Sequence, residues 1–127
     1  MRSLLAAVAV ALMCAGCAMV STVNIYHDMG VEHGEDAIET VEIENSGWLL
    51  FKFIPLGSGD PDSPNSRSCR FFTNTVTLQN NLAILENEMK RVDAKRIANL
   101  TSRKTDESVF IVLLTHRSYH TSAVLLK

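Results

Sequence analysis

Apolar and polar side chains alternate along this chain in patterns that change four times. Leu4 to Met13 is an unbroken apolar run of ten residues. Residues 18 to 37 show no period, and Gly30 and Gly34 interrupt them, so they read as a tether. In "TVEIENSGWLLFKFIPLGSGD", Val41 and Ile43 alternate with Glu42 and Glu44, the signature of a half-buried strand. Beyond Gly47, which suits a bulge or bend, Trp48 to Ile54 is apolar on both faces. Pro55 should end this strand, and "GSGDPDSPNS" then reads as a loop. Leu78, Leu82, Leu85, Met89 and Val92 recur at spacings of four and three, one stripe of a helix. Thr75 or Thr77 suits its N-cap, and Lys90 and Arg91 suit its C-terminal dipole. "KRIANLTSR" reads as a strand, "VFIVLL" as a central strand, "THRS" as a turn and "YHTSAVLLK" as a last strand. The order predicts an α+β domain over residues 38–127, with one amphipathic helix packed on a small, mainly antiparallel sheet of about four strands.

The leading run is too short for a bilayer span, which takes about 20 residues. Arg2, the apolar run and the small residues after it follow the order of a secretory signal. The run ends in Cys14-Ala15-Gly16-Cys17. This resembles the bacterial lipobox, commonly Leu-Ala/Ser-Gly/Ala-Cys, with Cys14 standing where leucine is commonest. The resemblance implies cleavage after residue 16 and acyl chains on Cys17, making it the lipidation site. Two or three chains anchor a protein stably where one is marginal. By its similarity to the sorting rule of enteric bacteria, Ala18 implies the outer membrane and a position facing the periplasm of the cell envelope.

Processing would leave a 111-residue chain, enough for one domain with one core. Charge then divides sharply. Seven acidic residues and no Lys or Arg lie between Ala18 and Phe51, whereas eleven basic and seven acidic residues follow from Lys52 onward. The acidic stretch suits a solvated tether over residues 17–37. No dominant basic footprint points to nucleic acid. Cys69 is the cysteine left over after processing, and burial is its expected environment in an oxidising compartment.

The tail "AKRIANLTSR…VFIVLLTHRSYHTSAVLL" resembles the end of small bacterial domains of the YbjQ-like and TRL-like type, through Ala94, Ile97, Thr121 and Val124. "ENSGWLLFKFIPLGSGD" is similar to the first strand of small bacterial lipoproteins. The YbjQ-like resemblance implies a homo-oligomer formed through the sheets. The heavy-metal label of that group does not transfer, because no cysteine or histidine cluster stands at the matching positions.

Chemistry is sparse. "HDMGVEHGED" offers His27, Asp28, Glu32, His33, Glu35 and Asp36 as possible ligands at a spacing that matches no known metal pattern. His116 and His120 read as turn and edge residues. The Asp60–Asp62 loop lacks the ending of a phosphate loop and the twelfth-position glutamate of a calcium loop. No serine sits in a nucleophile elbow, and Glu86, Glu88 and Asp93 lie on the polar side of the helix. Lys90, Arg91, Lys95, Arg96, Arg103 and Lys104 form a basic band suited to an anionic surface. These features predict neither catalytic residues nor a metal site, and no cofactor. The expected role is that of a lipid-anchored envelope protein working through contacts with a protein partner or its own copies, with Trp48 to Phe53 and Val109 to Leu114 in the core or at an oligomer interface. A periplasmic module binding a small ligand or metal is the alternative, and an enzyme built on Cys69 a third.

Overall fold

The computed structural model describes Ser3 and residues 18–24, 37–109 and 113–127. Strand β1 spans Ala18–Asn24, β2 Ala37–Leu50, β3 Ile54–Gly59 and β4 Cys69–Phe71. Helix α1 spans Leu78–Val92, followed by β5, Arg96–Val109, and β6, Leu114–Leu126. The strands form one six-stranded antiparallel sheet in the order β4-β3-β2-β6-β5. β1 pairs with the first half of β2, Ala18 opposite Asn45 and Asn24 opposite Glu39, and β3 takes the same edge of its second half. Among the described residues, an α+β fold with one long helix on an antiparallel sheet is therefore present, with six strands rather than about four.

β2 and β6 form the axis of the sheet, paired from Ala37–Leu126 to Leu50–Leu114. Side chains at alternate positions of each strand share a face. Val41 and Ile43 on β2 and Ala123 and Leu125 on β6 point to one side and meet Ile84 and Leu85 of α1. All six are at most 1% exposed, and Val20, Met89, Val92 and Ala94 pack around them. The helix begins where the side chain of Thr77 accepts the backbone N–H of Asn80, and ends at Asp93 in the left-handed conformation. It buries a stripe rotated from the leucine pattern. Asn81, Ile84 and Leu85 are buried, while Leu78 and Leu82 are exposed. Asn81 lies at the centre of that stripe and ties it to β6, its Nδ2 donating to the Tyr119 carbonyl at 3.1 Å and to Thr121 Oγ1 at 3.0 Å. At the other end of the helix, Arg91 binds Glu88 at 2.6 Å and the buried Glu39 at 2.5 Å, tying the helix to β2.

Several expectations are corrected by pairing. Residues 18–24, read as tether, form β1, because their backbone completes the edge of β2 and Ala18 and Val20 join the helix side. The loop before β4 holds this strand, as Asn65 N–H donates to the Ala18 carbonyl at 2.8 Å and Asn65 Oδ1 accepts from Val20 N–H at 2.9 Å. Pro55 lies inside β3 rather than ending a strand, and the turn falls earlier, at Phe51–Lys52–Phe53. "VFIVLL" does not form one central strand: Val109 ends β5 and pairs with Leu114, which opens β6, while residues 110–112 lie outside the described residues, and "THRS" belongs to the central strand β6. Of the two runs expected in the core or at an oligomer interface, Leu49 is buried, whereas Phe51, Phe53, Val109 and Leu113 are exposed, and residues 110–112 lie outside the described residues.

Gly47 shows why β2 carries a glycine at its midpoint. A Cβ placed there would lie 2.8 Å from the Gly57 carbonyl oxygen, 2.8 Å from Ser58 Cβ and 2.9 Å from Val76 Cγ2. Strand β3 and the segment leading to the helix both press on this point. Gly47→Ala forces one of them away, and a loss of about 1–3 kcal/mol is expected, the usual cost of overpacking, read as a lower urea midpoint.

Candidate functional site

The helix covers one face of the sheet, and among the described residues no element covers the opposite face over β2, β6 and β5. Strand register assembles rows of side chains there from residues far apart in sequence. One row is Met19, Glu44, His120 and Arg103, from β1, β2, β6 and β5 in turn. Two positions along lie Trp48, His116 and Glu107, with the small residues Ser46, Ser118 and Thr105 between the rows. Because Ser118 and Thr105 are short, the larger side chains wall a trough of about 600 Å³ lined by Glu44, Arg103, Thr105, Glu107, His116, Ser118 and His120. A second depression of about 290 Å³ adjoins it at Met19, Glu42 and Ser122.

Charges of both signs face each other in the trough. His120 Nε2 lies 3.7 Å from Glu44 Oε1, an ion pair whenever the imidazole carries its second proton. The Trp48 and His116 rings meet at 4.9 Å between centroids, tilted by 51°. The indole Nε1 of Trp48 is buried with no hydrogen-bond acceptor among the described residues. Such a surface can bind a polar group through one cation and several carboxylate or imidazole partners. Among the described residues, no three His, Cys, Asp or Glu side chains come together as a metal site would require.

β5 carries Arg103 and Glu107 at the sheet margin, and an ion pair on the other face fixes it. Arg117 Nε and Nη2 donate to Asp106 Oδ1 and Oδ2 at 2.7 and 3.0 Å, a bidentate pair, with Lys104 Nζ 3.4 Å away. The hydrogen bonds from Arg117 hold the Asp106 carboxyl below the ordinary range, against the opposing effect of burial, with help from Lys104. The same contact raises the Arg117 guanidinium.

The remaining candidates fall elsewhere. His27, Asp28, Glu32, His33, Glu35 and Asp36 lie outside the described residues, as does Cys17. His116 and His120 sit on a central strand rather than in a turn, and the trough brings them together. Cys69 opens β4 and is half-buried rather than buried. Asp60 and Asp62 serve Arg70, which contacts both carboxylates, and this keeps its guanidinium raised. Glu86 pairs with Lys90 at 2.7 Å, which lowers the Glu86 carboxyl, and Glu88 pairs with Arg91. The basic band is thereby divided: Lys90 and Arg91 are engaged on the helix and Lys104 at the edge, while Arg103 faces the trough. The row of Glu44, His120 and Arg103 escaped the sequence reading because it depends on the register of three strands. The His116–His120 spacing was its one local sign.

Compared with protein-family models, curated proteins and solved structures, the chain shows no match. Among the described residues no helix is long and apolar enough to cross a membrane, which leaves strand-built spans unaddressed.

The depressed pKa of Asp106 has a defined consequence. A carboxyl lower in the folded than in the unfolded state stabilises the fold above its unfolded value and loses that contribution as pH falls through its folded value. Asp106→Asn is expected to cost on the order of 1 kcal/mol at neutral pH, since the pair is partly exposed. The difference from the parent protein should shrink below about pH 4. Urea midpoints measured across this range check both expectations.

Proposed function

We propose that this protein is a lipid-anchored envelope component that acts by contact rather than by catalysis. The observation that carries the reading is the sequence Arg2, apolar run, Cys14-Ala15-Gly16-Cys17 abutting Ala18, the first residue of a strand in the sheet. Cleavage there leaves acyl chains one residue from the folded domain. The anchor then positions the sheet instead of trailing a long leash. Its open trough and the long exposed strand β5 supply the contact surface, with a protein partner or a second copy as the occupant.

Protein taken from its native envelope should yield an N-terminal peptide that begins at Cys17 and carries glyceride-linked and amide-linked acyl chains, seen by mass spectrometry. Cys17→Ser should leave the leader uncleaved. An intact leader or a bare thiol at position 17 in the parent protein overturns the anchor.

A second reading, a module for a small polar ligand, is favoured by the convergence of Glu44, Arg103, Glu107, His116 and His120 on one trough. The two readings part on one measurement. A photo-crosslinker at Thr105 should join a protein if contact is the function. Neither Thr105 nor a control at Leu78 should do so if the trough takes a small molecule.

A further inference from the structure

The sheet ends in a corner that is neither core nor trough. Phe51 and Phe53 project from the β2–β3 turn, Ile54 follows them, Phe71 and Phe72 close β4, and Leu113 stands at the adjoining β5–β6 turn. All six are exposed, Phe53 and Phe72 to 71%. They belong together spatially. Leu50 pairs with Ile54 and with Leu114, Phe51 N–H donates to the Leu113 carbonyl at 2.9 Å, and Phe72 N–H donates to the Leu56 carbonyl at 3.3 Å. Phe51 and Phe53 stack at 6.4 Å. Leaving so much aromatic surface in water is costly for an isolated domain.

The backbone at this corner is strained as well. Among the described residues, six other than glycine hold a positive φ, and Asn65, Asp93 and Asn99 are types that tolerate it. The other three are Phe51, Lys52 and Phe72, and all lie here. A three-residue hairpin turn ordinarily places glycine or asparagine at such positions. Strain of this kind persists only where the surrounding structure enforces it, and it clusters at functional sites.

The occupant is indicated by the direction of the chain. β1 runs antiparallel to β2, so its N-terminal end, Ala18 beside Asn45, points along β2 toward Leu50 and the aromatic turn. About five residues, roughly 17 Å at strand rise, separate Asn45 from Leu50. β1, β3 and β4 also share one side of the sheet. A single plane tilted across that side therefore takes in both the start of β1 and the phenylalanines. Charge selects among surfaces. Lys52 at the aromatic turn, and Arg67 in the loop whose Asn65 bonds Ala18 at the start of β1, are exposed with no ion pair among the described residues, while Asp60 and Asp62 are taken up by Arg70.

We propose that this corner is a membrane seat: Phe51, Phe53, Phe71 and Phe72 enter the headgroup region of an anionic phospholipid bilayer, with Lys52 and Arg67 at the phosphates. The proposal rests on the acyl-anchor reading for its orientation. Apolar side chains of a peripheral element penetrate about 5–10 Å, and each cation near the surface adds attraction.

The test uses full-length protein from its host membrane, reconstituted in phosphatidylglycerol–phosphatidylethanolamine vesicles, with acylation of the same sample read by mass spectrometry. Phe53→Trp in a Trp48→Phe background should show blue-shifted emission, quenched by lipids brominated at shallow chain positions. A Leu100→Trp control in the same background, at the opposite edge, should stay water-like. In the parent protein, acetylation of Lys52 should fall at least fivefold on vesicles relative to Lys104, a measurement that needs no substitution. Emission and acetylation equal to the controls in an acylated sample overturn the seat and leave the anchor standing. A blue shift without quenching by bromolipid also overturns it, because the corner then binds a second copy. If the sample is not acylated the anchor reading fails, and quenching by bromolipid decides the seat by itself.

Discussion

A helix of fifteen residues is about 22 Å long, and it can shield one face of a six-stranded sheet and no more. That constraint organises the molecule. Apolar residues of β2 and β6 that face the helix form a small core of Val41, Ile43, Ile84, Leu85, Ala123 and Leu125. The other face must live with water, and it does so by turning Glu44, His120, Arg103 and Glu107 outward. The trough follows from covering a sheet on one side only, with serines placed between long side chains.

Polar anchors, as well as the core, hold the helix in position. Asn81 reaches from the helix to the backbone of β6, and Arg91 reaches to Glu39 on β2. Asn45 Nδ2 donates to the Thr75 carbonyl at 2.6 Å, and Thr75 Oγ1 donates to the Gly59 carbonyl at 2.7 Å, so the strand, the crossing segment and β3 are tied at one buried point. Groups of this kind are expensive to bury unless partnered, and their partners come from segments distant in sequence. They fix the helix at one rotation, with Leu78 and Leu82 left toward solvent.

The edges of the sheet are managed differently. β5 is a long free margin, broken by the bulge around Asn99 and studded with Arg103, Lys104, Asp106 and Glu107, features that discourage indiscriminate strand pairing. The opposite margin holds β1, β3 and β4 and collects the exposed phenylalanines. A molecule seated on lipid by that corner would hold the Arg96 end of β5, opposite Leu126, away from the membrane, where a partner could reach it.

Local physics made the helix and the α+β class legible from the chain alone, and, on the proposed reading, the leader too. A charge, an apolar run and small residues before Cys17 follow one another in sequence, and a helix writes its own period into Leu85, Met89 and Val92. Alternation likewise marked Val41 and Ile43, because neighbouring strand residues face opposite ways. Tertiary structure alone decided which apolar residues were core. "VFIVLL" and "WLLFKF" are as apolar as any strand, yet pairing of Leu50 with Ile54 sets Phe51 to Phe53 at a turn, and Val109 and Leu114 fall on separate, paired strands. The same holds for the site: Glu44, His120 and Arg103 share no local pattern, since the distance between strands along the chain is unrelated to their distance across a sheet. β1 was hidden for that reason too. Its strand character comes from an edge offered by β2, not from any period of its own.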